Sequence, residues 1–472
     1  MLVQDGLPTP ARYHAMGVII LGIALSVLDG TIVNLALPGI ARDLHVTAPQ
    51  TVWVVNAYQV ATLGLLLPCA ALGDQIGYRR VYLWGLSLFT LASLGCVMAN
   101  SLAGLVAARA LQGLGAAGIM AVNGALVRLI YPRKLFGRGV AINSMVVAFA
   151  SVAGPTVAAA ILSIAPWPWL FALNVPLGVV VLILGRSSLP VNAPRHGEPI
   201  RIAPLDVLLN ALMFGLVFLG ADALGTRVAA GGGAAEAAGP VIMLLVGLAI
   251  GVFYVRRQLQ LEKCQATPVF PLDLLRIPVF ALSMCTSVGA FAAQMLAYIA
   301  LPFLLLDTYG LSHLKTGALI TAWPVAIVVV APIVGRLIGR IPDGLLGGIG
   351  LGLLACGLAL LAALPAQPSD LAIASRMALC GAGFAVFQSP NNHTILTSAP
   401  AHRSGGASGM LGTARLTGQT LGAVLLAIIF TVVDAHGGRG PVLALALAAG
   451  FAATAGLFSS LRLRHAPVHA NL

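Results

Sequence analysis

The sequence predicts an all-α polytopic membrane protein with fourteen spanning helices in a six, two and six arrangement. Three observations lead there. Charged residues make up only 8% of the 472 and hydrophobic ones 59%, with a mean hydropathy of +0.97, which leaves too little polar surface for water. The apolar runs are continuous and near ~20 residues instead of alternating, the pattern of spanning helices and not of a barrel. Threaded through a bilayer from a cytoplasmic N-terminus, the chain places nineteen of its 26 Lys and Arg residues on the cytoplasmic side, where short loops retain them.

The elements follow in order. Arg12 and the run 14–38 open the chain without a small-residue cleavage pattern, so this is a retained helix and not a removed signal. Runs at 51–72, 80–99, 102–127, 138–163 and 167–186 complete a first group of six. The second and third are joined by Leu72 to Val81, LGDQIGYRRV, too tight for a mere connection. There Gly73 and Gly77 let two helix ends approach, and Asp74 can cap a helix start and attract Arg79 or Arg80. Runs at 204–224 and 239–255 form a pair, joined by an outer loop with Gly231-Gly232-Gly233 and Glu236. Runs at 278–306, 315–338, 345–364, 370–396, 405–433 and 440–461 form the last six. The even count puts both termini on one side.

A repeat relates the two sixes. Ala36-Leu37-Pro38 with Asp43 recurs as Ala300-Leu301-Pro302 with Asp307, and Gly73 and Gly77 recur as Gly335 and Gly339. Arg109 recurs as Arg376 and Gly154 as Gly418, all at nearly one offset. The expected division is therefore a six-helix half over 1–190, a linker with two added helices over 191–277 and a second half over 278–472. Like-oriented halves of this kind hold a substrate between them near the midplane.

These stretches carry a family resemblance. Leu72, Asp74, Gly77 and Arg79 match the signature loop of the major facilitator superfamily, with Ala70, Gln75 and Tyr78 as departures from it. Leu28 to Pro38, Arg109-Ala110-Leu111-Gln112-Gly113 with Gly115, and Phe171 with Asn174, Pro176 and Gly178 resemble motifs of the fourteen-helix drug:proton antiporters. Ala71 to Arg80 is similar to the ALGDRIGFKR form of methyl viologen exporters, and Gly154-Pro155 looks like the core of the antiporter motif. The resemblance implies the major facilitator fold and multidrug or quaternary-ammonium export. It further implies that Asp74 meets the start of helix 13, near Arg403 to Ser408, and closes the inner side.

Asp29 is the leading site candidate, because an acid inside a span is costly unless it faces water or a partner. Nine residues before Pro38, it lies roughly 13 Å below the outer end of its helix, and Arg109 lies roughly 10 Å deep. Asp29 is expected to carry the coupling proton, with Arg109 and Gln112 tuning it and Asn34 contributing to substrate contact. The alternative is a permanently ionised structural pair. The second half has Ala293 and Gln294 where the first has the acid, so coupling is expected mainly in the first half. Arg415, roughly 15 Å into its helix, either holds an anionic substrate group or bonds to nearby carbonyls. Asp222 and Asp307 stand near outer helix ends, within reach of water, as further binding candidates. Asp206 begins helix 7, where the helix dipole already accounts for an acid.

Other classes are excluded. No CxxC spacing occurs, so neither metal nor disulfide is expected, and the cysteines inside runs read as small core residues. No GxxxxGK[ST] is present, and no nucleophile, base and ligand cluster, so the chain is read as neither ATP-driven nor an enzyme. The net charge of +12 is spread over inner loops beside lipid, which leaves no nucleic-acid face. The expected function is a monomeric, cofactor-free exporter in the bacterial inner membrane, driven by the proton gradient and moving small amphipathic compounds, cationic or neutral. The rival is an exporter of one metabolite, anionic in view of Arg415; a transporter-fold sensor ranks below both.

Overall fold

The computed structural model describes residues 6–46, 48–191, 203–229, 234–263, 270–400, 403–433 and 439–464. Every predicted run is helical. The first six helices are α1 (Ala11–Ile32), α2 (Ala48–Ile76), α3 (Tyr78–Val97), α4 (Leu102–Ile130), α5 (Phe136–Leu162) and α6 (Asn174–Ser188). The pair is α7 (Pro204–Ala229) and α8 (Ala234–Lys263). The last six are α9 (Pro278–Phe303), α10 (Ala322–Leu337), α11 (Asp343–Ala362), α12 (Asp370–Ser398), α13 (Ser404–Val432) and α14 (Arg439–Leu461). With the short helices Pro168–Ala172 before α6 and His313–Ile320 before α10, twelve of these are long and apolar enough to cross a membrane. The other two, α5 and α13, are 27 and 29 residues long and pack within the same bundle.

The repeat is visible in the backbone. Gly77 at φ 103° and Gly339 at φ 84° both turn the chain through the left-handed region, which side chains beyond glycine adopt at a cost. The helix before each loop can therefore end abruptly and the next begin at once. Ser101 and Ser369 each cap the start of the fourth helix of a six, their hydroxyls accepting from Gly104 N–H and Ala372 N–H. The first helix of each six also loosens at its far end, α1 into a 3₁₀ turn at Val33–Ala36 and α9 into a π turn at Leu304–Thr308. Pro38 follows the first of these turns and Pro302 precedes the second, and each lacks the N–H that regular winding needs.

The sixes meet at one end of the bundle. A Cβ at Gly409 would lie 2.7 Å from the Ala70 Cβ, one at Gly412 2.5 Å from Leu66, and one at Gly335 2.7 Å from the Ala141 Cβ. All three approaches are at the end of the bundle that carries Asp74. Helix α7 lies against both α2 and α13, where the Asn210 amide donates to Gly64 O at 2.5 Å and Gly64 touches Ala211. Helix α8 packs outside it and turns Ile242, Leu245 and Phe253 outward.

The cysteines need a correction. Cys96 and Cys380 are buried, but Cys285 and Cys356 are exposed. A helix surrounded by lipid is apolar on all sides, so an apolar run cannot tell core from outer face. Cys264 lies outside the described residues.

Candidate functional site

Asp29 sits near the loosened end of α1 and is fully buried. Three donors from two other helices converge on its carboxylate. Arg109 Nη1 of α4 donates to Oδ2 at 2.5 Å, Gln112 Nε2 of α4 to Oδ1 at 3.0 Å, and Asn174 Nδ2, the first residue of α6, to Oδ1 at 2.6 Å. Arg109 and Gln112 are three apart on one helix and so share a face. This lets Gln112 Oε1 accept from Arg109 Nη1 at 2.6 Å while its amide also reaches Ser93 Oγ at 2.8 Å.

Arg109 is fully buried as well, and Nε donates to Val54 O of α2 at 3.0 Å. Its guanidinium lies 4.3 Å from the centre of the Tyr58 ring and 5.6 Å from that of Phe171. Nη2 has no hydrogen-bond partner among the described residues. The result is a neutral pair sealed in low dielectric, where removing either charge would strand the other.

Beside the pair is a cavity of about 710 Å³. Amides line it from four helices, Asn56 and Gln59 of α2, Gln294 of α9, Gln388 of α12 and Gln419 of α13, and Tyr58 and Arg415 stand in the same wall among several hydroxyls. Phe218 and Ala221 bring α7 into the same wall. Among the described lining residues there is no carboxylate, and Arg415 is the single charge. Its Nε is buried without a hydrogen-bond partner, and its guanidinium lies 5.8 Å from the Phe291 ring centre. The carbonyl-bonded alternative for Arg415 is therefore not what the structure shows among the described residues. A second cavity of about 80 Å³ borders Arg415 from the other side and runs toward Leu396 and Ser408.

Beyond that second cavity the bundle is closed. Asp74 Oδ1 and Oδ2 accept from the Gly405 and Gly406 N–H groups at 2.9 and 3.1 Å, at the start of α13. A carboxylate there meets both unpaired donors and the positive helix end. Arg128 Nη1 donates to Leu396 O at 2.8 Å and to Ser404 Oγ at 3.0 Å. Arg79 and Arg80 do not pair with Asp74 as the sequence suggested. Gly77 restarts the helix so that Tyr78 Oη donates to Asp74 at 2.8 Å, while Arg79 donates to Arg186 O and Arg80 is exposed.

Two contacts at this end went unforeseen. Arg403, half a turn before α13, forks onto Asp273 of the segment after α8, with Nε to Oδ2 at 2.9 Å and Nη2 to Oδ1. His393 Nδ1 lies 2.5 Å from Asp343 Oδ2, with the Phe136 ring 5.5 Å away. Just past α14, burial pushes the Arg462 guanidinium down to about 10 and nearby Asp343 raises it, so it stays charged while donating to Ser283 and Asn391.

The structure thus brings together Asp29, Arg109 and Gln112, and separately Asp74 and the start of α13. Arg415 belongs to the cavity and not to the buried pair. The side chains of Asn34, Pro155, Asp222 and Asp307 lie outside the described residues. Gly154 packs on α1, where a Cβ would fall 2.0 Å from Thr31 Oγ1. Gly73 is pressed between Val122 and Tyr78. Arg376 donates to Leu360 O at 2.9 Å and, among the described residues, has no buried acid paired with it, unlike Arg109. Asn174, Ser93 and Tyr58 are the residues that sequence reasoning left out of the site. Asn174 alone had a signal, as part of the sixth-helix motif.

The Major Facilitator Superfamily profile matches residues 19–423. An uncharacterized transporter of Escherichia coli, YebQ, is 51% identical over 97% of both chains. The multidrug resistance protein Stp of Mycobacterium tuberculosis is 31% identical over 88% of this chain and 76% of its own. The crystal structure of the human organic anion transporter MFSD10 superposes with a TM-score of 0.69 at 15% identity, covering 96% of this chain and all of that one. The chain belongs to the Major Facilitator Superfamily, with drug exporters among its relatives.

Proposed function

We propose that the protein is a proton-coupled antiporter of the bacterial inner membrane, with both termini cytoplasmic, that exports small amphipathic compounds that are neutral or anionic. The observation that carries this reading is a buried Asp29–Arg109 pair beside, and not in, a cavity whose single described charge is Arg415. A proton arriving on the Asp29 carboxylate removes the counter-charge of Arg109. The guanidinium then has Gln112 Oε1 and Val54 O to hold it, and the packing of α1 on α4 is altered. Loss of that proton on the other side restores the pair. The Asp74 contact with α13 closes the cytoplasmic end in one half of this cycle and is of a strength that can be broken each turn.

The charge of the cavity moves the substrate class away from the cations that the motifs imply. A cation would sit next to Arg415 with no carboxylate among the described lining residues to offset it. The name of Stp supports drug-like substrates. The unpartnered Nε of Arg415 favours a second reading, export of one anionic metabolite.

Acid-loaded inverted vesicles test the proposal, with a pH-sensitive dye reporting proton release as an organic carboxylate and a neutral amphiphile are added. Native protein releases protons with at least one of them, and Asp29→Asn does not. Coupled release by Asp29→Asn, or a response to cations alone, would overturn the proposal.

A further inference from the structure

We propose that Tyr58 is the positioning residue that separates Asp29 from the substrate cavity, so that its ring decides when a cavity proton can reach the carboxylate. The inference rests on the proposed role of Asp29. Asp29 is fully buried and absent from the cavity wall, although Ser26 and Gly30 of the same helix line it. What fills the interval is Tyr58. It lines the cavity on one side, and its ring stands 4.3 Å from the Arg109 guanidinium on the other. The Gly30 backbone lies against the ring edge, with Cε1 3.5 Å from where a Cβ would be. The hydroxyl donates to Ser26 O at 2.7 Å and so fastens the ring against α1.

The ring is also the part that can move. Thr62 Oγ1 lies within hydrogen-bond distance of both Tyr58 O at 2.7 Å and Gly113 O at 3.1 Å. A Cβ on Gly113 would lie only 2.4 Å from Tyr58 O, so α2 and α4 are in direct backbone contact there. With the backbone pinned, rotation of the side chain is the route that opens Asp29. That rotation gives up one hydrogen bond and the cation–π contact with Arg109, both of which substrate in the cavity can replace. The titratable or charged groups facing Asp29 are Arg109 of α4, Tyr58 of α2 and, through Gln112, Cys96 of α3; α6 contributes the neutral Asn174 and α5 packs glycine on Thr31. No second acid stands among these to take the proton in place of Asp29.

The test reads access directly. Purified full-length protein in liposomes is treated with a water-soluble carbodiimide and an amine, and modification of Asp29 is followed by mass spectrometry of its peptide. Tyr58→Leu is expected to label about tenfold faster than native protein, the scale of a lost cation–π contact of this kind. Tyr58→Phe keeps the ring but loses the hydrogen bond to Ser26 O, and is expected between the two, about threefold above native. Tyr58→Met serves as a second ring-removing variant of similar bulk, should Tyr58→Leu not give monodisperse protein. Native-like labelling in the ring-removing variants overturns the proposal, as does an increase in Tyr58→Phe equal to theirs. Labelling reports access and not coupling, so proton release by Asp29→Asn would remove the proposed function and leave this result standing.

Discussion

At the scale of the residue, the energetics centre on a carboxylate and a guanidinium that are both fully buried. Each is held by neutral amides and a carbonyl as well as by the other, which is what buried charges require. Asp29→Ala should therefore destabilise the protein by about 3–5 kcal/mol, because it leaves Arg109 charged and alone. The double variant Asp29→Ala with Arg109→Met should recover most of that loss, and thermal unfolding in detergent would show it. At Arg415 the expectation concerns substrate. Arg415→Ala should lower export of an organic anion by about tenfold or more and leave a neutral amphiphile nearly unchanged, as measured by uptake into inverted vesicles. Asp29 and Arg109 were legible in the sequence because a charge deep in a span is expensive and depth can be counted from the helix end. Gln112 and Asn174 were marked only by the motifs they belong to and Tyr58 by nothing, since a neutral polar side chain in a span costs little. That Arg415 and Asp29 occupy different compartments also could not be read, because counting residues gives depth and not azimuth.

At the scale of the element, the α2–α3 loop and the start of α13 form one joint. The loop supplies a carboxylate and α13 supplies two free N–H groups, so each helix end completes the other. Asp74→Asn should weaken the joint enough to raise the reactivity of a cysteine placed at Ser408 about two- to thirtyfold toward a membrane-impermeant thiol probe. Gly405→Ala should act in the same direction, because its Cβ would fall 2.5 Å from Asp74 Oδ1 and 2.7 Å from Ala70 O. The resemblance of the loop to the family's signature announced this joint, and Gly77 has the positive φ such a turn demands. What the sequence could not give was the direction of the side chains after the turn. Once the helix restarts at Tyr78, the tyrosine lies under Asp74 and the arginines point away, an outcome set by the φ of one glycine.

At the scale of the whole molecule, the repeat was legible because glycine and proline landmarks mark the backbone itself, and the structure adds matching glycine turns and serine caps in both sixes. The place of α7 was not legible. Nothing in an apolar run says which groove it fills, and α7 lies along α2 and α13 with Phe218 in the cavity wall. The segment after α8 in turn reaches the closed end, where Asp273 holds Arg403. Asp273→Ala should therefore raise the reactivity of the same Ser408 cysteine, though less than Asp74→Asn, because its partner is a half-exposed ion pair and not a helix end. The single positive charge of the cavity also has an electrical consequence. Moving a monoanion outward while a proton moves inward carries two positive charges into the cell per cycle, and a neutral substrate carries one. Each charge is worth about 2.3 kcal/mol per 100 mV of membrane potential. Under the proposed antiport, a cavity built around Arg415 lets the protein draw on voltage as well as on the pH difference, and export of an anion should continue, driven by potential alone, when the two sides are held at the same pH.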